Sequence, residues 1–149
     1  DSAKTIPWGM LLLFAGGIAL AKGFVASGLS DLLGQWLATF SNLPAIIMIV
    51  TICLVVTYLT EITSNTATAT LLMPILAAAA IASGYDPKVL MVPAAICASC
   101  AFMLPVATAP NAIAYGTGEI EIQHMVKEGA VLSFIIACLV GITCYLLLL

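Results

Sequence analysis

The run Thr60-Glu61-Ile62-Thr63-Ser64-Asn65-Thr66-Ala67-Thr68-Ala69-Thr70 sets hydroxyl and amide side chains between two long apolar segments. Its chemistry is oxygen ligation and hydrogen bonding, because unpaired polar groups are costly in hydrocarbon and gather where they face a cavity. A second interruption of the same kind, Thr108-Ala109-Pro110-Asn111-Ala112, lies farther along. Two breaks in one short apolar chain point to an ion and solute site between discontinuous helices.

The first break offers the hydroxyls of Thr60, Thr63, Ser64 and Thr66, the Asn65 amide, and carbonyls loosened where a helix ends. Pro110 removes a backbone donor and disfavours helix at Ala109, which frees carbonyls near Ala107 and Thr108. Together they form an oxygen cage suited to sodium, with no carboxylate ligand. The same geometry attracts an anion, because the segment starting at Thr66 and the one continuing after Pro110 turn positive helix ends toward the breaks. Asn65, Thr66 and Asn111 add neutral donors. The chain contains no arginine, so a carboxylate would be held by dipoles, hydroxyls and bound cations, and its binding would depend on sodium. The plainer alternative is that these side chains cap helix ends and bond neighbouring carbonyls. Glu61 is either a proton or cation site or a carboxylate bonded to nearby helix N-termini, the second being preferred. His124 is assigned no role.

The elements that must position these residues are membrane helices. Of 149 residues, 63% are hydrophobic and only 7% charged, and mean hydropathy is +1.21. A soluble domain carries about 25% charged residues. Abundant Ala, Gly, Ser and Thr favour tightly packed helices over a barrel. The absence of a basic cluster argues against nucleic acid and against an anionic-lipid patch. The five cysteines lie within apolar runs and read as packing residues, although Cys97-Ala98-Ser99-Cys100 has redox or zinc spacing. No His-Glu-x-x-His and no serine–lysine or serine–histidine pair points to an enzyme. No signal peptide is indicated at the start, and beginning at Asp1 rather than methionine suggests a piece of something longer.

The spacing predicts a transmembrane helix over 1–25 and an interfacial amphipathic helix over 26–42, with Leu29, Leu32, Leu33, Trp36, Leu37 and Phe40 on one face. A helical hairpin follows over 43–83 with its tip at 64–66 and Pro74 in its second arm. Hydropathy alone leaves open whether that hairpin spans the bilayer or re-enters it. Gly84-Tyr85-Asp86-Pro87 is a turn. A discontinuous helix follows over 88–118, with its first arm running to Ala107. A polar connection over 114–128 leads to a spanning helix over 129–149. The lysines (Lys4 and Lys127 against Lys22 and Lys88) give no orientation.

At these residues the chain resembles the divalent anion/sodium symporters, a family of sodium-coupled di- and tricarboxylate transporters. The resemblance is carried by Thr60 to Thr66, by Leu72-Met73-Pro74-Ile75, and by the run Ala101-Phe102-Met103-Leu104-Pro105-Val106-Ala107-Thr108-Ala109-Pro110-Asn111-Ala112-Ile113. It implies an all-α integral membrane fold, one half of an inverted-repeat, elevator-type transporter, with a re-entrant hairpin and an unwound helix. It also implies a likeness to the C-terminal repeat, which would need an N-terminal repeat as partner and work as a homodimer in the cell membrane. By resemblance, Thr60, Thr63, Asn65 and Ala107 line a sodium site, Thr63 and Ala107 through carbonyls. Asn65, Thr66 and the backbone of Thr108, Ala109 and Pro110 touch a carboxylate of succinate, malate, fumarate or citrate. Many relatives carry proline where this chain has Ala109. The alternatives are another anion, of sulfate or arsenite type, proton coupling through Glu61, or a non-transporting structural subunit.

Overall fold

The computed structural model describes residues 8–29, 32 and 44–149. Among them every regular element is a helix: α1 (Trp8–Ala26), α2 (Ala45–Thr60), α3 (Asn65–Ala82), α4 (Lys88–Cys97), α5 (Ala109–Gly116) and α6 (Ile122–Leu148). The interfacial helix expected over 26–42 lies largely outside the described residues.

The helix ends follow local chemistry. Past α1 the chain turns at Gly28, whose φ of 73° is open to glycine at little cost. At the end of α3, Gly84 takes φ 77° while Tyr85 N–H donates to the Ala80 carbonyl at 2.9 Å, closing the helix. Asp86 Oδ1 then accepts from Lys88 N–H at 2.8 Å, at the start of α4. Within α3 the helix runs on through Pro74, although that position supplies no amide to the Thr70 carbonyl.

Helix α6 organises the packing. Gly129, Ser133, Ala137, Gly141 and Cys144 form its buried edge, small residues at helical spacing that let neighbours approach closely. Helix α2 lies along it and buries Ile49, Cys53, Val56, Thr57 and Thr60. A Cβ added at Gly141 would come within 3.1 Å of the Val50 Cα, so only glycine accommodates that approach. Helix α4 is wedged among α2, α3 and α6, while α1 packs on α3. The core so formed includes Ile49, Cys53, Leu76, Ala80, Leu90, Ala94, Cys97 and Ala137. The five cysteines are free thiols, with Cys53, Cys97 and Cys144 buried in the packing.

Among the described residues two helices, Asn65–Ala82 and Ile122–Leu148, are long and apolar enough to cross a membrane. At about 1.5 Å per residue the second is longer than a hydrocarbon core of about 30 Å requires. Large apolar side chains stay exposed along its outer face, among them Leu132, Phe134, Ile135, Leu139 and Leu146. In water this would be a liability; against lipid it is the expected surface.

Two boundaries differ from the sequence expectation. Helix α4 stops at Cys97, ten residues before Ala107, and residues 98–108 run without helix. Helix α6 starts at Ile122 rather than Gly129, so the second half of the polar connection is helical. Its polar side chains there, Gln123, His124, Lys127 and Glu128, are exposed.

Candidate functional site

The turn between α2 and α3 is held by its own hydroxyls. Ser64 caps α3: its carbonyl accepts from Thr68 N–H at 2.8 Å and its Oγ accepts from Ala67 N–H at 3.4 Å. Thr63 Oγ1 donates to the Leu59 carbonyl at 2.9 Å and forms a short hydrogen bond with Thr68 Oγ1. Thr60 is fully buried. Its Oγ1 lies 2.7 Å from the Ala98 carbonyl and 2.7 Å from Asn65 Oδ1. One hydroxyl proton cannot serve two acceptors. If Ala98 takes the proton, an Asn65 amide turned with its nitrogen toward Thr60 would satisfy the second contact and leave Oδ1 available elsewhere.

The second break has the same construction. Thr108, extended at φ −143° and ψ 156°, is the N-cap of α5. Its Oγ1 accepts from Asn111 N–H at 3.4 Å. Pro110 sits in the first turn, where its missing N–H is no loss.

The two breaks face one another across a cleft of about 580 Å³, lined by residues 61–66 on one side and 106–109 on the other. Thr63, Ser64, Asn65, Thr66, Ala107, Thr108 and Ala109 are thus brought together, Thr60 lies behind Asn65, and Pro110 stands just outside. Both α3 and α5 begin at this cleft. Their first-turn amides lack intrahelical acceptors and carry the positive ends of the helix dipoles. The arrangement can therefore hold an anion on N–H and hydroxyl donors, while carbonyl and side-chain oxygens a residue away can hold a hard cation. Among the described residues no group of His, Cys, Asp or Glu is placed to bind a metal ion.

Glu61 stands at the edge of the cleft and is almost completely buried, its carboxylate engaged by residues 102–104 and by Ser133. Its Oε1 accepts from Phe102 N–H at 2.6 Å, from Met103 N–H at 3.0 Å and from Ser133 Oγ–H at 3.4 Å. Its Oε2 accepts from Leu104 N–H at 3.2 Å. Three donors thus converge on Oε1 and one on Oε2, and three of the four are consecutive backbone amides. The partners are backbone amides of an unwound segment rather than a helix N-terminus. The same segment is held through its carbonyls: Asn111 Nδ2 donates to Ala101 O at 3.0 Å and to Leu104 O at 3.1 Å. Asn111, expected among the donors to an anion, has both amide hydrogens occupied there. Gly129 of α6 completes the enclosure, since a Cβ at that position would sit 2.5 to 2.8 Å from backbone atoms of Phe102 and Met103. Ala98, Gly129 and Ser133 went unnoticed in the sequence. Only the small-residue spacing 129, 133, 137 and 141 hinted at the last two.

The chain matches the family described as the sodium:sulfate symporter transmembrane region over residues 2–148. It belongs to that family of membrane transporters. Similar relatives are the sodium-dependent dicarboxylate transporters SdcS of two staphylococci. That of Staphylococcus saprophyticus is 51% identical over 129 residues, covering 87% of this chain and 25% of its own length. That of Staphylococcus aureus is 47% identical over 145 residues, covering 97% of this chain and 28% of its own. The chain thus spans about a quarter of the length of these curated relatives.

Proposed function

We propose that this chain is one half of the binding machinery of a sodium-coupled dicarboxylate symporter. The carrying observation is the cleft itself, where two helix N-termini, Ser64 and Thr108 caps and oxygen-rich turns converge with no guanidinium available. The similar relatives are named sodium-dependent dicarboxylate transporters, which supports the same reading.

In this reading Thr60, Thr63, Ser64, Asn65 and Ala107 hold a sodium ion through side-chain and carbonyl oxygens. The ion's charge, added to the dipoles of α3 and α5, makes the cleft attractive to a carboxylate. That carboxylate rests on Asn65, Thr66 and the backbone of Thr108, Ala109 and Pro110. Cation and anion are neighbours, so each strengthens binding of the other, and by linkage the two effects are equal. The α2–α3 pair acts as a re-entrant hairpin. The far end of the succinate-, malate-, fumarate- or citrate-class substrate, and a second sodium, are held by an N-terminal repeat. The complete multi-pass protein works as a homodimer in the cell membrane, with an elevator-like movement of the hairpin part.

Sodium-driven uptake of labelled succinate into proteoliposomes tests the reading. The complete transporter takes up succinate in sodium and not in choline, and this chain alone takes up none. Sodium-independent uptake by the complete protein, or robust uptake by the fragment, rejects it. Sulfate is the second reading, favoured by the family's description and by a donor set that suits any dianion. Uptake of labelled sulfate that succinate fails to inhibit would establish it.

A further inference from the structure

The geometry points to Glu61 as a positioning residue that locks the unwound segment 102–104 to the α2–α3 turn, so that both halves of the binding cleft behave as one rigid unit. The inference rests on the transporter reading for its consequence, and on the hydrogen bonds for its structural content.

A stretch such as Ala101-Phe102-Met103-Leu104 has no polar side chain; Pro105 disfavours helix at Leu104 and leaves the Ala101 carbonyl without an i+4 donor, but supplies no partners for the amides so freed. Unwinding it inside an apolar protein exposes amides and carbonyls that must find partners. Glu61 takes the amides: the N–H groups of Phe102, Met103 and Leu104 all donate to its carboxylate. Asn111 takes carbonyls on the other side, at Ala101 and Leu104. Ser133 donates to the same carboxylate from α6, tying in a third element. Glu61 adjoins Thr60 and Ile62 in the turn, and Leu104 is three residues from Ala107. The carboxylate therefore sets the distance between the two oxygen-bearing edges of the cleft. Three of its four donors are consecutive backbone amides, so its work is to hold backbone in place.

Hydrogen exchange with mass spectrometry on the complete transporter, together with sodium titration of succinate uptake, tests this. In Glu61→Gln one oxygen becomes an N–H₂ donor facing amide donors. Exchange in a peptide containing 102–104 rises about tenfold, while peptides from the middle of α6 keep their protection. The half-saturating sodium concentration rises by a similar factor with an unchanged Hill coefficient, and saturating sodium restores much of the lost protection. Unaltered exchange at 102–104, or a reduced Hill coefficient with protection intact, overturns the lock and makes Glu61 an ion ligand. If Glu61→Gln does not accumulate in the membrane, Glu61→Asp and Ser133→Ala carry the test. Each raises exchange at 102–104 by roughly threefold, and no change in either overturns the proposal. Exchange needs no substrate, so loss of protection in a protein lacking sodium-dependent uptake would refute the symport reading and leave the lock standing.

Discussion

Replacing Gly129 by alanine tests whether α6 really lies against the unwound segment. Intrinsic propensity favours the substitution, since alanine is better than glycine in a helix interior by about 1 kcal/mol. The structure reverses the sign. The new Cβ would stand 2.5 Å from the Phe102 carbonyl oxygen, 2.7 Å from its carbon and 2.8 Å from the Met103 Cα. All three are backbone atoms fixed by Glu61 and Asn111, so they cannot swing aside as a flexible side chain would. Overpacking of this kind costs about 1–3 kcal/mol, and contacts to immobile backbone belong at the upper end. Subtracting the propensity gain leaves a net destabilisation of about 2 kcal/mol. For a chain of this size that is a fall of about 4–8 °C in melting temperature. Gly16 of α1 is the control, because a Cβ there meets no described atom within 4 Å. Gly16→Ala leaves the melting temperature unchanged or raises it. The assay is intrinsic-fluorescence melting of the detergent-solubilised protein at one scan rate. A Gly129→Ala protein as stable as the Gly16→Ala control refutes the packing of α6 on residues 102–103.

Thr60→Val keeps the shape but removes the hydroxyl, leaving a buried Ala98 carbonyl without its donor. A cost of about 1–3 kcal/mol follows, read as weaker sodium dependence of uptake, while Thr60→Ser retains most of the activity. Asn111→Asp sets a carboxylate against the Ala101 and Leu104 carbonyls that now receive two N–H bonds. Uptake falls by about tenfold or more, and a wild-type rate in that variant would contradict the assigned role. Alanine at both Asn65 and Thr66 abolishes sodium-dependent uptake under the proposed function, and undiminished transport would favour a purely structural subunit.

The two polar breaks were legible because hydroxyls and amides are out of place in an apolar chain, and the structure brings them to one cleft. Gly84 marked its turn because a positive-φ position favours glycine, whereas Gly28, expected inside the helix over 26–42, turns the chain for the same reason. What escaped notice was tertiary. Pro105 signals a break near Leu104, but nothing local carries it back to residue 98, because Glu61, 41 to 43 residues from Phe102 to Leu104, supplies the partners that make unwinding tolerable. Hydropathy likewise began the last helix too late, at Gly129 rather than Ile122. Ile122 to Glu128 is polar on its exposed side, and a helix continues as long as its backbone bonds do, whatever its solvent. Asn111 looked like a ligand donor because its type suited one, but its amide is engaged within the fold.

The central claim is that an anion reaches this arginine-free cleft only with the help of a bound cation. Equilibrium binding of labelled succinate to the purified complete transporter, in sodium and in choline at equal ionic strength, tests it most directly. The account predicts measurable affinity in sodium and a loss of about a hundredfold or more in choline, within the range of strong site-to-site coupling. Equal affinity in the two salts would contradict it.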